Sequence, residues 1–393
     1  MQHYPYLIIG GGMTADAAVR GIRELDTKSA VGLIGAETDP PYARPPLTKA
    51  LWKGEPFDSV WRKTSEVGVD LHLGRRATTL NPGGKRVVDD RGTEYTFDKL
   101  LLATGGTPRR LPFGGDDVIY FRTLTDYRRL RELAQAGKSF AVIGGGFIGS
   151  EIAAALTMQG CKVTMLFPEA GISARVFPAD LARFVLDYYR GKGVDTRPGE
   201  SVTGVTRSGS QATVETKSGF RVTVDAVVAG LGITPNTDLA TFAGLEVEDG
   251  VAVDEQLRTT HPDVFAAGDV TRFNAPSLGT RIRVEHEDNA LSMGRAAGRA
   301  MAGDDSPYAH QPFFYSDLFQ LGYEAVGELD PRSETVADWK EPFREGVVYY
   351  LRDGQVRGVL LWNVWNQVDA ARGLIAHGGS VRAADLKGRL GTG

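Results

Sequence analysis

Tyr4-Pro5-Tyr6-Leu7-Ile8-Ile9-Gly10-Gly11-Gly12-Met13-Thr14-Ala15 is an apolar run broken by three glycines and continued by an alanine-rich stretch with helical spacing. Further along, Ser139-Phe140-Ala141-Val142-Ile143-Gly144-Gly145-Gly146-Phe147-Ile148-Gly149 repeats the design. Each has the form G-x-G-x-x-G/A between a strand and a helix. Gly10 or Gly144 makes the tight turn, and Gly12 or Gly146 lets the backbone approach a pyrophosphate. The small third residue, Ala15 or Gly149, lets the helix pack on the strand. The helix N-terminus, at Met13-Thr14 or Phe147-Ile148, offers free N–H groups and the positive end of a dipole. One such turn is a weak signal; two point to a chain that holds two dinucleotides.

Acidic residues follow at matching places. Glu37 comes after a strand at 31–35, and Glu169 comes after the strand beginning at Cys161. A carboxylate there accepts hydrogen bonds from a ribose diol and repels a 2′-phosphate, so Glu169 favours NADH over NADPH. Arg175 nearby works against that preference. Ala267-Gly268-Asp269 closes a strand at 264–266 and offers a carboxylate to a ribityl hydroxyl, which makes FAD the cofactor of the first turn. A strand at 99–103 ends in Ala103-Thr104-Gly105, and one at 226–229 ends in Gly230-Leu231-Gly232.

Composition narrows the function classes. With 393 residues, 42% apolar and 24% charged, the chain suits a globular protein of two or three domains. A net charge of −4 gives no basic excess for nucleic acid. No apolar run reaches the roughly 20 residues of a membrane span. The early start of the first strand argues against a leader, and a cytoplasmic location is expected. The single cysteine, Cys161, cannot form an internal disulfide, which excludes dithiol chemistry, and six histidines are dispersed, so no metal is expected.

The expected fold is α/β: two Rossmann-like dinucleotide-binding domains with glutathione-reductase-like topology, plus a C-terminal α+β domain. Residues 1–120 and 251–305 would form the FAD domain and 121–250 the NAD domain. Residues 306–393 would form the third, with a hairpin turning at Asp353-Gly354, a helix over 365–377 and a loose tail from Lys387.

Pro41-Tyr42-Ala43-Arg44-Pro45-Pro46-Leu47-Thr48-Lys49, Ala103-Thr104-Gly105, Gly144–Glu151 and Ala267-Gly268-Asp269 resemble the FAD-dependent, NAD(P)H-using ferredoxin and rubredoxin reductases. Leu166–Glu169, Arg283–Ala290, Ser316-Asp317-Leu318 and Gly322–Ala325 resemble apoptosis-inducing factor-like flavoproteins in particular. By chemistry alone Lys49 reads as a solvated lysine, Glu151 as a helix-surface acid, Phe147 as a packing residue and His286 as a structural histidine. The resemblance implies more. Arg44 would contact the FAD phosphates and Pro45 the isoalloxazine. Lys49 would pair with Glu151 beside the flavin, Phe147 would cover the face where nicotinamide stacks, and Glu285 with His286 would stand on the other side. Tyr315 stands where relatives often carry tryptophan.

The implied activity takes hydride from NADH through FAD to a ferredoxin- or rubredoxin-type iron–sulfur protein. The alternatives are an NADH oxidoreductase that reduces quinone, oxygen or small acceptors, and a redox-responsive NADH-binding flavoprotein that acts through a partner. A homodimer is compatible with each. Arg109-Arg110 and Arg128-Arg129 with Arg131 are candidates to face an acidic acceptor.

Overall fold

In a computed structural model, which describes residues 2–391, both glycine turns join a parallel strand to a helix. Strand Gln2–Ile9 feeds helix Met13–Leu25, and strand Ser139–Ile143 feeds helix Phe147–Met158. The chain forms two compact units. The first comprises Met1–Arg44, Pro56–Thr107 and Thr234–Pro312, and the second Pro45–Glu55, Pro108–Ile233 and Phe313–Gly393.

In the first unit, Gln2–Ile9 pairs in parallel with Val31–Gly35 on one side and Glu94–Leu102 on the other. The far end of Glu94–Leu102 also takes Val264–Ala266 in parallel, while its start pairs antiparallel with Arg86–Asp89. Ala15, Ala18, Val19 and Ile22 lie at i, i+3, i+4 and i+7 of the first helix and are buried, the stripe that fixes it to the sheet. Asp16 on the same helix is fully buried and accepts from Arg20, Arg62 and Thr64, which ties the 62–64 segment down. Helix Glu287–Met301 lies so close that a Cβ on Gly294 would stand 2.4 Å from the Thr14 carbonyl oxygen. One on Gly298 would stand 2.0 Å from that of Ala18.

The second unit has its own parallel sheet, in the order Asp195–Pro198, Lys162–Phe167, Ser139–Ile143, Ala226–Ala229, Val118–Tyr120. A three-stranded antiparallel sheet (202–224) covers it, with Val205, Val214 and Val224 packed in one core with Val118, Ala141 and Val227. Burial of each such valine contributes roughly 1.5–3 kcal/mol. Val118–Tyr120 completes the second parallel sheet, and Thr234–Gly250 belongs to the first unit.

Residues from Phe313 onward form a five-stranded antiparallel sheet with helix Val368–His377. Asp353-Gly354 turns the expected hairpin between Glu345–Arg352 and Gln355–Trp362. The helix begins three residues later than expected because Asn366 takes a left-handed φ of 62°. The tail is not loose as far as it is described. Leu386 and Leu390 are buried, Gly388 N–H donates to Asp338 at 2.7 Å, and Leu390 N–H donates to Tyr349 at 3.3 Å. Residues 392–393 lie outside the described residues.

Cys161 is buried, its Sγ 3.4 Å from the Gln135 carbonyl, and burial pushes its thiol up, away from reactivity. Among the described residues no helix is long and apolar enough to cross a membrane, and no three His, Cys, Asp or Glu side chains gather as a metal set.

The Gly294/Gly298 contact yields a stability prediction. Gly298→Ala should force the two helices of the first unit apart and cost about 1–3 kcal/mol. Calorimetry should show a lower Tm; an unchanged Tm would mean that the Ala18 carbonyl has room to yield.

Candidate functional site

The two glycine turns share one geometry. Gly10 has φ 135° and Gly144 φ 114°, values that disfavour any side chain, and neither has room for one. A Cβ on Gly10 would lie 2.0 Å from the Ala103 carbonyl oxygen, and one on Gly144 would lie 2.4 Å from that of Gly230. The third small position is equally crowded in the second turn, where a Cβ on Gly149 would meet the Gly144 oxygen at 2.0 Å. The middle positions are the reverse. Nothing lies within 4 Å of a Cβ built on Gly12 or Gly146. These two glycines also cap their helices without any side-chain hydrogen bond, which leaves the first N–H groups to an outside acceptor. Open space, free donors and a helix dipole fit a pyrophosphate at each turn.

The first unit assembles the remaining residues expected around FAD. Gly268, with φ 79°, brings the Ala267-Gly268-Asp269 turn against Thr14, where a Cβ would meet Thr14 Oγ1 at 2.4 Å. Ala103-Thr104-Gly105 is held by Asn236, which donates from Nδ2 to the Thr104 carbonyl at 2.9 Å and from N–H to that of Gly105 at 2.9 Å. Glu37 accepts from the Tyr42 hydroxyl at 2.6 Å and from Arg44 Nη2 at 2.5 Å, so one carboxylate oxygen serves each donor. Burial works against the Arg44 charge, yet Tyr42, Glu37 and Asp269 hold its guanidinium above its ordinary value. Arg283 donates to Glu285 at 2.6 Å and to the Asp269 carbonyl at 3.2 Å, joining those two positions. His286 precedes helix Glu287–Met301 as its N-cap. Part of its surface is open, but dense packing around the ring pushes the imidazole down to about 4, against the pull of Asp269 and Asp288.

Three residues expected with FAD belong by packing to the second unit: Pro45, Lys49 and Tyr315. There Lys49 Nζ stands 2.7 Å from Glu151 Oε1 and 5.2 Å from the centre of the Tyr315 ring. Thr48 Oγ1 donates to Glu151 Oε2 and Ser316 Oγ to Oε1, each at 2.5 Å. Glu151 is 3% exposed. Sequence reasoning found the pair but missed both hydroxyls, along with Tyr42 and Asn236. Phe147, at the start of the second helix, packs on Phe314 with ring centres 5.3 Å apart. Glu169 pairs with Arg175 at 2.5 Å, an arginine that is otherwise largely in solvent. Gly232 has φ 80°, and its carbonyl accepts from Arg109 N–H at 2.9 Å.

Of the arginines considered for an acceptor, Arg128 and Arg129 are exposed. Arg131 lies over the Trp52 ring at 5.1 Å and Arg110 over Tyr120 at 4.7 Å.

A family model described as pyridine nucleotide-disulphide oxidoreductase matches residues 4–294, and the chain belongs to that family. It is a flavoprotein oxidoreductase that uses FAD and a nicotinamide nucleotide. More particularly, it is 34% identical to the ferredoxin reductase subunit of 5,5′-dehydrodivanillate O-demethylase from Sphingobium sp., over 96% of this chain and 94% of that one. It is 33% identical to apoptosis-inducing factor 1 of Dictyostelium discoideum, over 95% of this chain and 79% of the other. A solved covalent complex of putidaredoxin reductase with putidaredoxin contains a chain that superposes with a TM-score of 0.91 at 29% identity, covering 98% of this chain and 95% of that one. A second family model, the C-terminal part of mitochondrion-associated apoptosis-inducing factor, matches 297–342 and 337–377.

His286 provides a pH test. Its folded value lies below the ordinary 6.5, so between about 6.5 and 4 protons bind the unfolded chain in preference. Stability should fall as pH drops through that window, and His286→Gln should flatten that part of the decline. Melting curves from pH 7 to 4 for both proteins would show it. Identical profiles would place the titration of this ring in solvent.

Proposed function

We propose that the first unit holds FAD, the second holds NADH, and the protein carries electrons from NADH to a ferredoxin- or rubredoxin-type iron–sulfur protein. The observation that carries this reading is the duplicated open glycine cradle, uncapped in both units and followed in both by an acid. Three domains share the work on this reading, the third being the sheet that begins at Phe313. The ferredoxin and rubredoxin reductases among the relatives support the acceptor class.

When bound, FAD supplies acceptance of a hydride and release of electrons one at a time. The chain's residues supply position and charge. Glu37 receives the ribose diol, Arg44 neutralises phosphate with a planar, permanently charged donor, and Asp269 receives a ribityl hydroxyl. Gly144–Gly149 and Gly232 admit the nicotinamide nucleotide, and Phe147 covers the ring face. Lys49 offers a positive charge that favours the electron-rich reduced state, and Glu151 holds that charge in place. Pro45, Glu285, His286 and Tyr315 shape the surroundings of the ring and keep water from it.

A second reading is favoured by the C-terminal family match and the Dictyostelium relative: an NADH oxidoreductase with quinone, oxygen or small acceptors. Turnover separates the two. A ferredoxin reductase passes electrons to its protein acceptor much faster than to oxygen or dye; comparable rates would favour the second reading.

Two measurements address the cofactors. Gly12→Val fills space that no protein atom occupies, so the variant should fold, melt within a few degrees of the wild-type apoprotein, and fail to retain FAD. Full flavin absorbance would remove FAD from the first cradle. In stopped flow, NADH should reduce the flavin faster than NADPH at matched low concentration, because Glu169 repels a 2′-phosphate. Glu169→Gln should narrow the gap, since Arg175 then lacks its carboxylate and can meet that phosphate. Equal rates in the wild type would show the preference to be misassigned.

A further inference from the structure

We infer that Thr48 and Ser316 are positioning residues whose hydroxyls each anchor one oxygen of Glu151 and thereby set where the Lys49 ammonium stands. This rests on the reading that Lys49 acts beside the flavin, and it adds what holds the charge in place.

The argument begins with the cost of the arrangement. A carboxylate taken out of water needs all its acceptor sites served, or it moves or neutralises. Glu151 is served from three directions. Thr48, 6% exposed, comes from the Pro45–Glu55 segment, Ser316, 1% exposed, from the first strand of the C-terminal sheet, and Lys49 is the third donor. The hydroxyl contacts are 2.5 Å each, in the range of charge-assisted O–H···O bonds. Ser316 and Lys49 share Oε1, while Thr48 holds Oε2 alone, so both oxygens are fixed and the carboxylate cannot rotate freely.

Two phenols, Tyr189 and Tyr323, also feel the Glu151 charge. Tyr189 donates to the Ser150 carbonyl at 3.0 Å and is occupied. Burial first, and the Glu151 charge second, hold the Tyr189 and Tyr323 phenols protonated far above their ordinary range, so both stay neutral beside the carboxylate. Tyr315, adjacent to Ser316, places its ring under Lys49. One strand thus supplies both a hydroxyl for the carboxylate and an aromatic face for the ammonium.

Loss of either hydroxyl should leave Glu151 with one hydroxyl fewer and leaning more heavily on Lys49. The ammonium is then drawn to the carboxylate and its charge is more fully cancelled at the ring. Thr48→Val keeps the side-chain shape without the donor, and Ser316→Ala removes the other. In each holoprotein the midpoint potential of bound FAD should fall below wild type, and NADH should reduce the flavin roughly tenfold more slowly, in line with a lost bond to a charged group. Thr48→Ser, which keeps the hydroxyl, should restore both values. Acylation of Lys49 in the apoprotein, followed by mass spectrometry, gives a readout independent of flavin chemistry, and its rate should change in Thr48→Val but not in Thr48→Ser. If Thr48→Ser behaves like Thr48→Val, the role is packing and the inference is overturned. Lys49→Ala separates the two levels. If it moves neither potential nor rate, the reading that places Lys49 at the flavin fails. If it moves both while Thr48→Val and Ser316→Ala move neither, that reading stands and the positioning role is overturned.

Discussion

Two carbonyl oxygens set the geometry on which both nucleotide units depend. That of Ala103 stands 2.0 Å from the point a Gly10 Cβ would occupy, and that of Gly230 stands 2.4 Å from the same point at Gly144. Neither strand end can retreat. Glu94–Leu102 is held by Gln2–Ile9, Arg86–Asp89 and Val264–Ala266, and Ala226–Ala229 is held by strands on both sides. The chain must turn at once, and only a residue without a side chain can do so at these positive φ values. Two residues later the same turn opens outward, where Gly12 and Gly146 meet nothing. Crowding at one glycine and vacancy at the next are two halves of one device: the first aims the helix, and the second leaves room for what the helix N-terminus attracts.

The acids that follow the two turns differ in how they are held. Glu37 is gripped by Tyr42 and Arg44, one on each oxygen, inside the first unit. A carboxylate has about four acceptor sites, so this fixes its orientation without using it up. Glu169 has an arginine that is 79% exposed. Pairs of that kind contribute about 0–1 kcal/mol and weaken with salt, so Glu169 keeps much of its own field. The same residue type at the same place in two units is thus held firmly in one and loosely in the other; on the proposed reading the first would be a fixed acceptor and the second an adjustable electrostatic filter.

Local signals were the ones the sequence made legible. The two turns, their strands and helices, Ala267-Gly268-Asp269 and the hairpin at Asp353-Gly354 all depend on neighbours within a few residues, and each lies where the residue chemistry put it. Thr48 and Ser316 carry no such signal. A threonine before a lysine and a serine in a strand become meaningful only when residues 103 positions before and 165 positions after Glu151 meet its carboxylate, a meeting set by packing. The edges of the packed units depend on distant partners in the same way. Val118–Tyr120 is too short to show a period, and it joins its sheet through a partner at Val227–Ala229. Pro45–Glu55 reads as a continuation of the proline-rich turn, yet it packs with the second unit. Even the final leucines, Leu386 and Leu390, gave no sign beyond their own hydrophobicity that a core would claim them.

The buried pair of Lys49 and Glu151 is best understood by asking what stability alone would choose. A buried ion pair is a poor stabiliser, because desolvation offsets most of the attraction, and apolar residues of similar volume commonly do as well or better. Here the pair is accompanied by two hydroxyls and an aromatic face, drawn from three separate stretches of chain. Such a set is vulnerable, since removing one ion leaves the other uncompensated at a cost of about 3–5 kcal/mol. A fold has no structural reason to accept that exposure to failure. On the function proposed above, electron transfer supplies one. With a single buried cysteine, this chain has no internal disulfide to accept the electrons, so on the proposed reading the field of a charge placed near the flavin becomes a natural means of tuning it. An ammonium held in place inside a weakly screening environment is the most compact way for side chains to provide that field.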